Sequence, residues 1–185
     1  MFHRGVQCGS CHNPHSGKLK LEGSLVCGQC HNTDTYASEQ HTLHKATATT
    51  VNCITCHMPS KIYMGNDLRH DHSFRVPRPD LTAKFGTPNT CNQCHTDKSA
   101  QWAADKIAAN FGKTRPYHYA DDLVPGSRLD AGSEPHLQKL LGDSAVPDIV
   151  RAAAIQYISQ MNTPGAGGTL TRYLQDSSAV VRYTA

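Results

Sequence analysis

Hydrophobic positions are spread unevenly along this chain of 185 residues. Residues 1–97 hold few apolar runs and no sustained period of 3.6 or 2 residues, and they are rich in Asn, Thr, His, Gly and Pro. Turn signals such as Asn13-Pro14, Met58-Pro59 and Thr87-Pro88 recur along this region. This pattern predicts irregular loops joined by short helical turns.

The pattern changes at Lys98. The segment 98–111 is rich in Ala, places Trp102, Ile107 and Phe111 near one face, and is followed by Gly112. Such spacing with a glycine stop predicts an amphipathic helix. A linker rich in Tyr, Pro and Gly is expected to follow, from Lys113 to about residue 132.

Two similar units occupy the last fifty residues. The first runs from Leu137 through Asp143-Ser144 to Val150-Arg151, and the second from Leu170 through Asp176-Ser177 to Val181-Arg182, at an offset of 31 to 33 residues. A helix, an Asp-Ser turn and a second helix predict HEAT-like helical hairpins, with an unrelated pair of amphipathic hairpins as the alternative. Because the last helix has barely begun at Ala185, we expect a truncated solenoid.

Composition restricts the classes of function. A hydrophobic content of 38% with 6% aromatic residues is poor material for a conventional core. The formal net charge is +3, and no stripe of Lys or Arg suited to phosphate contacts occurs, which argues against a nucleic-acid partner. No apolar run reaches 18 residues, so no transmembrane segment is predicted.

All eight cysteines fall into one recurring motif, in which two cysteines three positions apart are followed directly by a histidine. The four motifs are Cys8-Gly-Ser-Cys11-His12, Cys27-Gly-Gln-Cys30-His31, Cys53-Ile-Thr-Cys56-His57 and Cys91-Asn-Gln-Cys94-His95. This spacing is that of covalent c-type haem (heme c) attachment, in which both thiols bond one porphyrin and the adjacent imidazole ligates its iron.

Zinc ribbons, thioredoxin-like redox pairs and disulfides are the alternatives for paired cysteines. None of them accounts for the histidine after every pair, whose chance occurrence in all four motifs has odds on the order of 1 in 10⁵. We therefore predict four covalently attached haems, with His12, His31, His57 and His95 as proximal iron ligands.

Four porphyrins change the expectation for the first half of the chain, because stacked haems can replace missing apolar side chains. The predicted fold class is mostly α and irregular loop, with a haem-cored multihaem cytochrome region followed by HEAT-like α-helical hairpins. The predicted domains are a tetrahaem region over 1–97, a helix and linker over 98–132, and helical repeats over 133–185.

Eight histidines lie outside the motifs, and six of them fall within the haem region. An iron that only transfers electrons is best held by a second imidazole on its other face. His15 follows His12 too closely to reach the far face of the same haem, so it is expected to serve a neighbour, most simply the haem of Cys27 and Cys30. The leading distal set is His3, His15, His44 and His72, with His41 in reserve and His70 as a spare.

His41 and His44 stand at helical spacing, so they are expected to face the same side and to serve different haems. His118 and His136, in the linker and the repeats, are not expected to be ligands. Met64 is the alternative if a methionine replaces a distal histidine.

The stretch Cys53 to Pro59, then Asp71-His72, then Cys91 to His95, resembles the multihaem cytochrome c group that includes the pentahaem cytochrome c nitrite reductases. The segment Cys8 to His15 is similar to the doubled haem-motif segments of periplasmic multihaem cytochromes. The whole arrangement resembles bacterial multihaem cytochromes that carry HEAT or tetratricopeptide repeats. The nitrite reductases have a catalytic haem in a Cys-x-x-Cys-Lys motif, and this sequence has no such motif.

These observations predict an electron carrier and not an enzyme. The chain is expected to relay electrons between redox partner proteins in the periplasm or outside the cell, after export by a signal peptide that the sequence does not show. Docking or self-assembly through the helical repeats is expected. The alternatives are an electron-delivery fragment of a larger nitrite- or hydroxylamine-type reductase and a subunit of a haem-wire filament.

Overall fold

The computed structural model describes residues 4–48, 50–161 and 163–185. It is mostly helical, with one small two-stranded sheet, which confirms the predicted α-rich class. The chain forms two compact units, one ending at Lys113 and the other running from Thr114 to Ala185. In the described residues, no helix is both long and apolar enough to span a bilayer.

The first unit is built from short elements. Its helices are α1 (Cys8–Cys11), α2 (Leu25–Gly28), α3 (Thr33–Tyr36), α4 (Glu39–Thr42), α5 (Cys53–His57), α6 (Pro79–Phe85), α7 (Cys91–Cys94) and α8 (Ala100–Phe111). Between α5 and α6, strands β1 (Ser60–Tyr63) and β2 (Asp67–His70) form an antiparallel hairpin, with Ile62 opposite Leu68. Each cysteine motif thus begins on or contains a single helical turn.

The amphipathic helix predicted near residue 98 is present as α8. Ser99 caps its first turn by accepting a hydrogen bond from the Trp102 amide at 3.1 Å. Gly112, at a φ of 89°, follows its last residue in the left-handed region that favours glycine. Helices α6 and α7 both pack on α8, so this helix belongs with the cysteine motifs in the first unit.

Few apolar side chains are buried in the first unit. Val26, Leu81 and Ala103 are the buried apolar residues other than Pro79 in its described part. Large apolar side chains such as Ile62, Met64 and Leu68 are instead exposed. The protein chain alone therefore supplies this unit with little hydrophobic stabilisation.

The second unit has a conventional core. Its helices are α9 (Ala120–Ser127), α10 (Glu134–Gly142), α11 (Asp148–Gln160), α12 (Ala166–Tyr173) and α13 (Ala179–Thr184). Leu137, Leu140, Ile155, Ile158 and Val181 are buried together where α10, α11 and α13 meet. Both Asp-Ser turns have the same local structure, because Asp143 and Asp176 each accept a hydrogen bond from the amide two residues on, at 2.8 Å.

The expectation of a linker over 113–132 is wrong in part, because helix α9 forms there despite Pro125 in its interior. Asp121 and Asp122 lie in its first turn, where negative charge is favourable. The buried Asp122 carboxylate accepts hydrogen bonds from the Tyr117 hydroxyl at 2.5 Å, from His136 Nδ1 at 2.6 Å and from Lys139 Nζ at 2.7 Å. Burial raises the pKa of Asp122, but these hydrogen bonds outweigh it and hold the pKa below the ordinary value.

We expect Asp122→Asn to destabilise the second unit by about 2 kcal/mol, because the neutral amide leaves Lys139 without its buried anionic partner. Hydrogen exchange of α9 and α10 amides in the intact protein, followed by mass spectrometry, measures this loss. The control is Asp148→Asn, which removes a carboxylate whose side chain is 56% exposed and should change exchange little. Equal exchange in both variants would contradict the assigned role of Asp122.

Candidate haem-binding site

No two of the eight cysteines are joined in a disulfide, and each pair spans one turn at or beside a short helix. Cys8, Cys30 and Cys94 are exposed, and the other five are half-buried. One member of each pair except the third is therefore open to solvent.

Among the described residues, three of the four motif histidines lie opposite a second histidine. The ring centroids are 6.3 Å apart for His12 and His72, and the ring planes are 34° apart. For His57 and His41 the values are 6.0 Å and 19°, and for His95 and His44 they are 6.0 Å and 29°. Each pair joins a motif histidine to a histidine from a different segment of the chain.

This separation is the one that two axial ligands of a single metal ion would have. A metal–imidazole bond is about 2 Å long, and the ring centroid lies about 1 Å beyond the nitrogen, so opposite ligands place their centroids about 6 Å apart. Offset ring stacking covers the same range of distance. The distinction between the two depends on which ring nitrogen is engaged elsewhere.

Backbone carbonyls hold the Nδ1 atoms of four of these six rings. His12 Nδ1 lies 2.8 Å from the Gly17 oxygen, His57 Nδ1 2.8 Å from the Arg75 oxygen, His72 Nδ1 2.9 Å from the His70 oxygen and His44 Nδ1 2.6 Å from the Thr42 oxygen. Because a carbonyl oxygen only accepts hydrogen bonds, Nδ1 carries the hydrogen of the neutral ring. Nε2 then has a free lone pair with which it can bind a metal ion. This outer-shell pattern is typical of metal-ligating histidines.

The segment around Asp71 orients two of these rings. Asp71 Oδ1 accepts from the Ser73 amide at 2.9 Å, and its Oδ2 accepts from Arg75 Nε at 2.7 Å. The Arg75 amide in turn donates to the His57 oxygen at 3.0 Å, beside the Nδ1 contact of that histidine. Asp71 thereby stabilises the loop that carries His72 and the carbonyl that holds His57, a role that the sequence alone did not reveal.

His41 and His44 are directed to different motif histidines for a local reason. Helix α4 ends at Thr42, and Leu43 adopts a left-handed conformation with a φ of 60°. The chain therefore turns between the two histidines, which corrects the expectation that helical spacing places them on one face. Burial, with a further contribution from the charge of His57, lowers the pKa of His41 and favours its neutral form.

The remaining predicted ligands are placed as follows. His31 lies edge-on to the Tyr36 ring, with centroids 5.4 Å apart. His15 is exposed in a turn where its amide donates to Asn13 Oδ1 at 2.9 Å. His3 lies outside the described residues, and the exposed His70 donates from Nδ1 to the Met58 oxygen at 2.7 Å. The distal partner of His31 therefore stays a prediction.

Successive motifs contact one another. Ser24 Oγ, beside the second motif, accepts from the Cys53 amide of the third at 3.2 Å, and the Thr90 hydroxyl beside the fourth motif donates to the Thr55 oxygen at 2.5 Å. Burial, together with the charge and the hydrogen bonding of the nearby Cys53 thiol, raises the pKa of Cys27 to about 11. The second, third and fourth motifs thus lie side by side.

Among the described residues, no three His, Cys, Asp or Glu side chains converge into a group that could hold a metal ion. No protein-family model, curated protein or solved structure matches this chain.

Proposed function

We propose that this chain is a multihaem c-type cytochrome that relays electrons between redox partner proteins outside the cytoplasm. The observation that carries the proposal is the placement, among the described residues, of a second imidazole about 6 Å from three of the four motif histidines. At these three sites the arrangement matches iron closed on both faces, which suits electron transfer and leaves no position there for a substrate.

The residues present fit four haem c groups. Each cysteine pair would form the two thioether bonds, and His12, His31, His57 and His95 would bind the irons from one side. His72, His41 and His44 would bind from the other side at the first, third and fourth motifs, and His15 or His3 would do so at the second. Each haem, when bound, supplies a reversible one-electron couple.

The contacts between motifs support relay within the chain. Cys27 and Cys53 are neighbours, and the Thr90 hydroxyl donates a hydrogen bond to the Thr55 backbone oxygen, so the second, third and fourth attachment sites adjoin. Short distances between cofactors favour fast electron exchange. The carbonyl contacts to Nδ1 hold the imidazoles in place, so oxidation and reduction require little rearrangement of the protein.

The two units have different parts in this proposal. The first unit buries few apolar side chains of its own, which fits a core made largely of porphyrin. The second unit repeats a helix, an Asp-Ser turn and a helix, with Arg151 and Arg182 in equivalent positions, as HEAT-like repeats do. We assign it the docking of redox partners or of further copies of the chain.

The test of the carrier function is a redox titration of the purified protein with nitrite and hydroxylamine challenges. We expect overlapping one-electron steps and a reduced spectrum that either compound leaves unchanged. Steady turnover of nitrite or hydroxylamine would overturn the carrier proposal and favour a reductase.

A further inference from the structure

The imidazoles at the candidate haem sites are fixed in two different ways. The rings of His12, His44, His57 and His72 are held by a backbone carbonyl at Nδ1. Three further rings, those of His31, His41 and His95, lie against aromatic side chains. The ring of His72 has both kinds of contact, because Phe74 also lies 6.2 Å from it at 88°. An imidazole bound to a metal through one nitrogen can still rotate about that bond, so each ring needs a contact that fixes its plane.

Tyr36 contacts two of these three rings. Its ring centroid is 5.4 Å from that of His31 at an interplanar angle of 86°, and 5.1 Å from that of His41 at 89°. Both are edge-to-face contacts, the geometry that aromatic quadrupoles favour. His31 belongs to the second motif, whereas His41 lies opposite His57 of the third, so one side chain joins two sites.

The local sequence explains why Tyr36 takes this position. Asn32, directly after His31, caps α3 by accepting hydrogen bonds from the Asp34 amide at 2.9 Å and the Thr35 amide at 3.3 Å. Tyr36 is the last residue of that single turn. The turn brings its ring back toward His31, while α4 follows closely and carries His41.

Helix α8 provides aromatic contacts to His95 and His41. Trp102, near its start, has its ring 4.9 Å from that of His95, and Phe111, at its end, has its ring 6.2 Å from that of His41 at 72°. The rings of Tyr36 and Phe111 thus both lie at a steep angle to the His41 ring. The plane of the His41 ring lies 19° from that of His57.

We propose, resting on the haem function above, that Tyr36 is a positioning residue that fixes the imidazole planes of two iron sites at once. Through His41 it holds the third site near parallel ligand planes, and through His31 it sets the plane of the proximal ligand of the second. Phe111 assists at His41 alone, and Trp102 acts separately on His95.

The test uses electron paramagnetic resonance of the oxidised protein, because the signal of low-spin ferric haem depends on the angle between its two axial imidazole planes. Near-parallel planes give rhombic signals, and perpendicular planes give a signal with one dominant g value. In Tyr36→Leu, two of the four low-spin signals should shift. In Tyr36→Phe, which keeps the ring, all four should stay as in the wild type.

Tyr63→Leu is the matched control, since Tyr63 is 48% exposed against 45% for Tyr36 and lies on the hairpin, where the Arg69 guanidinium lies over its ring. It should leave every signal unchanged. If the wild-type protein shows low-spin signals and Tyr36→Leu does not move them, the positioning role is wrong while the haem function stands. If the wild-type protein shows no such signals, the haem function itself is wrong.

Two further variants cover the case in which Tyr36→Leu does not mature. Phe111→Leu removes a contact to His41 only and should shift one low-spin signal, whereas Trp102→Leu should shift a different one. Identical spectra from these two variants and the wild type would overturn the proposal that aromatic contacts set the ligand planes.

Discussion

Each of the three variants His72→Ala, His41→Ala and His44→Ala should convert one of the four haems to a high-spin form that binds carbon monoxide when reduced. The reason is that each of these rings lies 6.0 to 6.3 Å from a different motif histidine, and alanine has no atom that could replace Nε2. About one quarter of the haem should respond in each single variant, and the effects should add in the double variants, since the three sites are separate. Absorption spectra with and without carbon monoxide measure the fraction.

His70→Ala is the matched control for His72→Ala. Both histidines are exposed, lie two residues apart and donate from Nδ1 to a backbone carbonyl, but only the His72 ring faces His12. The control should keep all irons low-spin. If His70→Ala opened a haem and His72→Ala did not, the assignment of the first site would be wrong.

Replacing all eight cysteines with alanine should leave the first unit without stable structure while the second unit stays folded. Ordering each residue costs about 1–2 kcal/mol of backbone entropy, and burying one aliphatic side chain returns about 1.5–3 kcal/mol. Val26, Leu81 and Ala103 cannot offset that cost over a unit of this length. The second unit has its own buried cluster, including Leu137, Leu140, Leu141, Ile155 and Ile158.

The loss should include α8, because a helix of 12 residues is marginal alone and its packing partners α6 and α7 belong to the same unit. Hydrogen exchange followed by mass spectrometry resolves both units in one experiment. Haem-loaded wild-type protein is the reference for full protection. Native-like protection of α6 to α8 in the cysteine-free chain would contradict the view that the first unit depends on its cofactor.

The attachment motifs could be predicted from sequence because their chemistry depends on neighbours within five positions. Helix α8 was predictable for the same reason, since its Ser99 cap and its Gly112 stop are local signals. Helix α6 carries comparable local signals, with Pro79 in its first turn and Gly86 after its end, but it lies in the region for which the sequence predicts loops and short helical turns. The β1–β2 hairpin has a turn at Met64-Gly65, where both residues have positive φ. Its strands show no alternation of apolar and polar residues, and their apolar side chains Ile62 and Leu68 are exposed.

The pairing of histidines could not be predicted, because it depends on contacts between distant segments. His72 reaches His12 across 60 positions, and His44 reaches His95 across 51. The left-handed Leu43, which separates His41 from His44, has no sequence signal, since leucine rarely adopts that conformation. The aromatic contacts of Tyr36 and Trp102 join residues only five to seven positions apart, but they depend on the short turns between those residues, which the pattern of hydrophobic positions does not reveal.

The intact mass of the purified, denatured protein shows whether haem is attached covalently, because thioether bonds survive denaturation and bound metal ions do not. We expect the mass of the polypeptide plus four haems, with all eight thiols consumed and none open to alkylation. A mass equal to the polypeptide alone, with free thiols or disulfides, would contradict haem attachment and favour zinc or redox chemistry at the four cysteine motifs.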